Sequence, residues 1–195
     1  MKMTKHRMVF CDIETTGLSV RDHEIISICM ITYEDNKEVD RWSAKIHPKH
    51  IDTADPKALE INGYTEEEWA GAWKMEEAIH EIAIRLTSRR IFFVGYNPGF
   101  DMSFIRYALV KYGYELPRLR MIDVMTLVHE HLVPCGLKSL SLDNTRIFLG
   151  LSTDQAHTAL QDTLDTVRIY FLLSRSSILK RLFWRVRSLL ISLIK

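Results

Sequence analysis

Arg7-Met8-Val9-Phe10-Cys11-Asp12-Ile13-Glu14 is an apolar run that ends in two carboxylates two residues apart. Its β-branched and aromatic side chains favour an extended chain. In a strand, residues i and i+2 project to one face, so Asp12 and Glu14 stand side by side. Two such carboxylates repel each other, and burying them is costly unless a cation lies between them. The pair alone also fits an edge strand with a solvated acidic face, a reading that the apolar flanks disfavour.

Outward from this stretch, residues 24–33 (EIISICMITY) and 39–46 (VDRWSAKI) read as two further strands, joined by the polar turn Asp35-Asn36-Lys37. Helical patterns follow at 56–62 and 75–88, the second with Ile79, Ile82, Ala83 and Leu86 in period. A short strand at 90–94 leads through Asn97-Pro98-Gly99 into a helix at 101–112. A fifth strand at 119–122 precedes helices at 124–132, 139–149 and 158–173. Three strands in a meander followed by alternating helices and strands predict an α/β fold, a mixed five-stranded sheet flanked by helices. One domain over residues 1–173 and a tail over 174–195 account for the chain.

Of the 195 residues, 47% are hydrophobic and 26% charged, as in ordinary soluble globular proteins. Cys11, Cys29 and Cys135 are odd in number and lack metal-like spacing. With no signal peptide at the N-terminus, they read as reduced thiols of a cytoplasmic protein. No apolar run approaches the ~20 residues of a membrane span. The formal charge of +1 hides an asymmetry: the tail carries six basic and no acidic side chains, which leaves −5 for residues 1–173. An acidic body is not the usual footprint of a nucleic-acid binder, but it suits a centre that divalent cations neutralise when phosphates arrive.

Two more clusters carry chemistry. Asp101 follows a strand and a turn, a place where aspartate commonly caps a helix. In His157-Thr158-Ala159-Leu160-Gln161-Asp162, Thr158 and Gln161 form a capping-box pattern that starts a helix near Ala159. His157 then lies on the entry segment and Asp162 one turn inside, so both can reach one site; alone they read as a surface histidine beside a solvated aspartate. Asp165, a turn further on, keeps that solvated reading. Together, four carboxylates can hold two Mg²⁺ or Mn²⁺ ions ~4 Å apart, and a neutral histidine can take a proton from water.

These residues resemble the motifs of the DnaQ-like (DEDD) 3′-5′ exonucleases, in order: Phe10 to Leu18, Asn97 to Asp101, and His157 to Asp162. Ala58-Leu59-Glu60-Ile61-Asn62-Gly63-Tyr64-Thr65 and Gly136-Leu137-Lys138-Ser139-Leu140 add to the likeness, which spans residues 7 to about 173. The resemblance implies a ribonuclease-H-like fold, Asp12, Glu14, Asp101 and Asp162 as ligands of two divalent cations, and His157 as general base. Histidine five before the last aspartate marks the His-type branch (DEDDh); the Tyr-type branch would have tyrosine where Thr158 stands. The turn Thr15-Thr16-Gly17-Leu18 is then expected to hold the 3′-terminal nucleotide, with Leu18 against a base, and Asn97 to line the substrate groove. Tyr96, where many members have histidine, and Pro98-Gly99 depart from the family at that groove.

The implied function is metal-dependent hydrolysis from the 3′ end of single-stranded DNA, releasing nucleoside monophosphates in proofreading or repair. An exoribonuclease acting on RNA ends or short oligoribonucleotides shares all five catalytic residues. A dead nucleic-acid-binding or polymerase-associated module would have lost one of the five, and none is missing. In the tail, Ile178, Leu179, Leu182, Phe183, Val186, Leu189, Leu190, Leu193 and Ile194 cover about 160° of a helical wheel, with Trp184 and Ile191 on the polar arc. Residues 178–195 thus read as a basic amphipathic helix that packs on the sheet or docks on a polymerase, another protein or an anionic membrane.

Overall fold

The computed structural model describes residues 7–87, 91–115, 119–153 and 157–175, and Trp184. Strands β1 (Arg7–Thr15), β2 (Ile25–Glu34) and β3 (Lys37–Lys45) form an antiparallel meander. Between β2 and β3, Asp35 and Asn36 take φ of 49° and 65°, the positive values that a two-residue hairpin turn needs. β4 (Ile91–Gly95) runs parallel to β1, and β5 (Arg120–Asp123) parallel to β4, in the order β3-β2-β1-β4-β5. The five strands and their mixed sheet are as the sequence predicts. Pairing changes from antiparallel to parallel at β1, so β1, β4 and β5 end along one edge, where α/β sheets usually bind ligands.

Among the described residues, seven α-helices are delimited in chain order: α1 (Pro56–Ile61), α2 (Glu66–Trp69), α3 (Met75–Leu86), α4 (Pro98–Lys111), α5 (Val124–Leu132), α6 (Leu142–Leu149) and α7 (Ala159–Ser174). They cover both faces of the sheet. Val9, Cys11 and Ile13 of β1 pack with Ile79, Ile82 and Leu86 of α3 and with Phe104, Ile105 and Leu109 of α4. Phe10 points the other way, among Val124, Val128 and Leu132 of α5 and Val167, Ile169 and Leu173 of α7. Its ring meets those of Tyr170 and Phe171 with centroids 5.4 and 6.0 Å away, and this seats α7 across the middle strand.

Where helices begin departs from the expectation in two places. α4 starts at Pro98, with Asn97 as its N-cap at φ 63°, because proline suits the first helical position. α6 starts at Leu142, where Ser141 accepts the Asn144 amide. α2 is too short for a periodic pattern; Thr65 caps it, and Trp69 buries its indole by donating to the Ile26 carbonyl at 2.8 Å.

The tail expected over 178–195 lies outside the described residues apart from Trp184. That side chain is buried in the cluster around Phe10, although the wheel puts it on the polar arc. Among the described residues no helix is long and apolar enough to cross a membrane.

Candidate active site

Alternation along β1 sends Asp12 and Glu14 to the face of Phe10, the face that α7 covers. A bulge between Glu14 and Thr15 ends the regular pairing there. Asp162 comes from the first turn of α7, whose N-cap Thr158 accepts the Gln161 amide at 3.3 Å as the capping pattern predicts. Asp12, Glu14 and Asp162 each offer a carboxylate oxygen within 4.8 Å of the others. Asp101 arrives from α4, on the opposite face, and stands outside that trio. It is 4% exposed and does not cap its helix; its Oδ1 accepts the Ile13 amide at 3.0 Å and ties α4 to the middle of the acidic strand.

His157 has a positive φ of 65°, and its backbone amide donates to Asp162 Oδ1 at 3.2 Å. The chain thus turns sharply into α7, and both residues reach one place. The imidazole Nε2 lies 3.5 Å from Asp143 Oδ2, with 47% of the His157 side chain exposed.

Two residues of the site escaped the sequence reading. Asp165 is not solvated: it is fully buried, and Arg146, 1% exposed, lies beside it. The Arg146 guanidinium donates to Asp162 Oδ1 at 2.7 Å, Asp143 Oδ1 at 2.8 Å and Asp165 Oδ2 at 2.9 Å. A signal was present, since Asp165 shares a helical stripe with the buried Ile169 and Leu173. A carboxylate at a core position needs a cationic or hydrogen-bonding partner.

The turn after β1 is braced from within. Thr15 Oγ1 donates to the Gly17 carbonyl, Thr16 Oγ1 accepts the Glu24 amide, and Asn62 Nδ2 donates to the Thr15 carbonyl. The Asp55 amide adds a bond to the Thr16 carbonyl. Gly17 leaves no room for a side chain, because a Cβ would come 2.5 Å from His23 Nε2. Leu18 is 81% exposed, so turn packing does not account for it. Asn97 is exposed and its side chain makes no capping bond. The Tyr96 hydroxyl donates to the Leu140 carbonyl at 2.6 Å and lies 2.9 Å from Thr145 Oγ1, which ties it to the start of α6.

Burial lifts all four carboxyls above their ordinary range. Glu14 is pushed up to about 8 by burial and by the charges of Asp162 and Asp101. Asp101 rises to about 7 through burial, against the pull of backbone amides. Asp12 is raised by burial, then by Asp101, Asp162 and Glu14, with Arg146 opposing; Asp162 is raised by burial and drawn back by Arg146. A crowd of hard oxygen donors that keep protons for want of positive charge fits a divalent cation.

A family model, RNase T, described as an exonuclease, matches residues 9–170. Among curated relatives, the 3′-5′ exonuclease DinG of Bacillus subtilis (strain 168) is 30% identical over 171 residues, 86% of this chain and 18% of DinG. A PolC-type DNA polymerase III of Clostridium perfringens is 29% identical over 161 residues, 83% of this chain and 11% of that protein. The chain therefore spans less than a fifth of the length of these relatives. Among solved structures, E. coli exonuclease I in complex with a dT13 oligonucleotide superposes with a TM-score of 0.77 at 18% identity, covering 87% of this chain and 41% of that one. Exonuclease I of Methylocaldum szegediense gives 0.74 at 22% identity, with 88% and 41% covered. These two likenesses show the fold; the family match, over most of the chain, makes it a member of the DnaQ-type exonuclease family with a ribonuclease-H-like fold.

Proposed function

We propose that this chain removes nucleoside monophosphates one at a time from the 3′ end of single-stranded DNA, using two divalent cations, Mg²⁺ or Mn²⁺. The observation that carries the reading is the trio of carboxylate oxygens within 4.8 Å at the strand ends. They stand beside a braced turn that exposes Leu18. Asp12, Glu14, Asp101 and Asp162 hold the cations. Bound there, the cations supply charge at the phosphoryl oxygens and an acidified water. His157 takes the proton of the attacking water, with Asp143 beside its ring. The turn Thr15-Thr16-Gly17-Leu18 seats the terminal nucleotide: the Gly17 and Leu18 amides donate to nothing among the described residues, and Leu18 and Asn97 are open to solvent. The DNA preference has the support of the exonuclease I solved with dT13.

Digestion of end-labelled single-stranded DNA and RNA side by side, with Mg²⁺ or Mn²⁺, tests this. Mononucleotides should leave from the 3′ end and DNA should be the faster substrate, with a 3′-phosphate blocking the reaction. A paired end should be slower, since it must first be unstacked. Faster loss of RNA would move the assignment to an exoribonuclease, and cleavage of a closed circular strand would end the exonuclease reading.

Two substitutions separate holding the ions from moving the proton. Asp12→Ala should abolish both Mn²⁺ binding, read by calorimetry, and turnover in a folded protein. His157→Ala should keep Mn²⁺ binding while turnover falls about 10²- to 10⁴-fold. A His157→Ala enzyme with more than a tenth of the wild-type rate would require another base.

The raised carboxyls set a pH dependence. An acid whose folded pKa lies above its ordinary value stabilises the fold at low pH, and that contribution is lost as pH rises through the folded value. Glu14 and Asp101 span from the ordinary 4.5 and 3.8 to about 8 and about 7. In EDTA the melting temperature should therefore fall across this window, while saturating Mn²⁺ should flatten the slope and release protons on binding. An EDTA melt that rises steadily with pH would contradict the electrostatics of the site.

Residues 178–195 are read as a docking helix for a polymerase, another protein or an anionic membrane, in a cytoplasmic setting that accords with the free cysteines. Deleting residues 176–195 also removes Trp184, buried in the cluster around Phe10, and should lower the melting temperature. Replacing Lys180, Arg181, Arg185 and Arg187 with Gln keeps that contact, and should leave digestion of short oligonucleotides intact while removing co-sedimentation with anionic vesicles or pull-down of the partner. Full co-sedimentation and pull-down in that variant would end the docking reading.

A further inference from the structure

Helix α6 packs Leu142, Phe148 and Leu149, partly buried, against the cluster around Phe10, but its fully buried residues are Thr145 and Arg146. Thr145 meets the Tyr96 hydroxyl, which also binds the Leu140 carbonyl, so the start of α6 is anchored without help from the arginine. That leaves the buried guanidinium, a rigid fork of donors, to be explained.

Its three contacts are not equivalent. Asp165 has other partners: Arg168 Nη1 at 2.9 Å from Oδ1 and Gln161 Nε2 at 3.0 Å from Oδ2. Asp143 is partly exposed and has water within reach. For Asp162, Arg146 is the single side chain that donates among the described residues. Both it, at 2.7 Å, and the His157 amide use Oδ1, and nothing among the described residues donates to Oδ2. This is also the shortest of the three arginine contacts. We propose that Arg146 is a positioning residue for Asp162: by gripping Oδ1 it fixes the carboxylate beside Asp12 and Glu14 and reserves Oδ2 for a divalent cation. The inference rests on the reading of Asp162 as a metal ligand. A carboxylate that ligates an ion is itself oriented by hydrogen bonds, and losing such a partner typically weakens metal binding or activity about 10- to 100-fold.

A clamp between α6 and α7 is the competing role, and paired measurements of melting temperature and Mn²⁺ affinity in the full chain separate the two. Arg146→Met with Asp165→Leu deletes the buried ion pair while keeping apolar bulk, an exchange that is often neutral or stabilising. The double variant should melt near or above wild type yet bind Mn²⁺ about 10- to 100-fold more weakly by calorimetry, with turnover reduced at saturating Mn²⁺. Asp165→Asn keeps the grip on Asp162 but weakens the clamp, so it should melt lower with Mn²⁺ affinity near wild type. Should the double variant fail to fold, Arg146→Gln, which leaves Asp165 its bonds from Arg168 and Gln161, is read the same way. Wild-type Mn²⁺ affinity and turnover in the folded Arg146 variant would overturn the proposal. Asp162→Ala is the separate control: if it binds Mn²⁺ as wild type does, the metal-ligand reading itself is wrong.

Discussion

Asp12, Glu14 and Asp162 hold carboxylate oxygens within 4.8 Å of one another next to the buried Asp101, an arrangement that repels itself unless protons or cations lie within it. The rest of the molecule is arranged so that this repulsion is borne at one end of the sheet. β1 is the middle strand; its pairing with β4 ends at Phe10, and Asp12 and Glu14 are held in register by Cys29 and Ser27 of β2. α7 is held over β1 by the Phe10, Tyr170 and Phe171 rings. α4 is held from the other face by the Asp101 bond to the Ile13 amide. Each charged group is therefore delivered by an element whose apolar packing outweighs the local repulsion.

Two kinds of relief act on the cluster. Raised carboxyl pKa values let protons stay on Glu14 and Asp101 near neutral pH. Arg146, carried into the interior by α6, supplies fixed positive charge that is bonded to Asp162 and also draws down Asp12. A mobile cation that displaces the protons meets a site already partly neutralised on one side. The site is thus asymmetric before any ion binds: Asp12 and Glu14 have no buried cation bonded to them among the described residues, and Asp162 has one.

The fold was legible because β1 obeys alternation so cleanly. Once Val9, Cys11 and Ile13 face one layer, Asp12 and Glu14 must face the other, and the meander and crossover order follow from the lengths of the intervening patterns. The capping pattern at Thr158 likewise located His157 and Asp162 relative to the start of α7. Asp101 was ambiguous, because a turn followed by an aspartate satisfies a local capping rule; Asn97 held that position instead, and a contact 88 residues away in sequence decided the matter. Arg146 and Asp165 were missed because a charged side chain on a helix reads as solvated until the neighbouring helix is known. The partners of Tyr96 were hidden for the same reason: Leu140 and Thr145 lie on a later segment that no local pattern connects to it.

Exposure divides the site into parts that differ in what they must do. Asp101, Asp162, Arg146 and Asp165 are buried, and the braced turn at Thr15 and Thr16 is buried with them. These positions are set before a substrate arrives, which spares the reaction the reorganisation that a loose site would require. Leu18 and Asn97 are open to solvent, and His157 is half open, as befits groups proposed to touch a nucleotide that enters and leaves at each cycle. His157 joins the two parts through its own backbone: the amide is bound to the buried Asp162 carboxylate while the ring stays reachable from solvent. The chain takes a positive φ at this residue, with the amide on Asp162 and the imidazole beside Asp143 at the entry to α7.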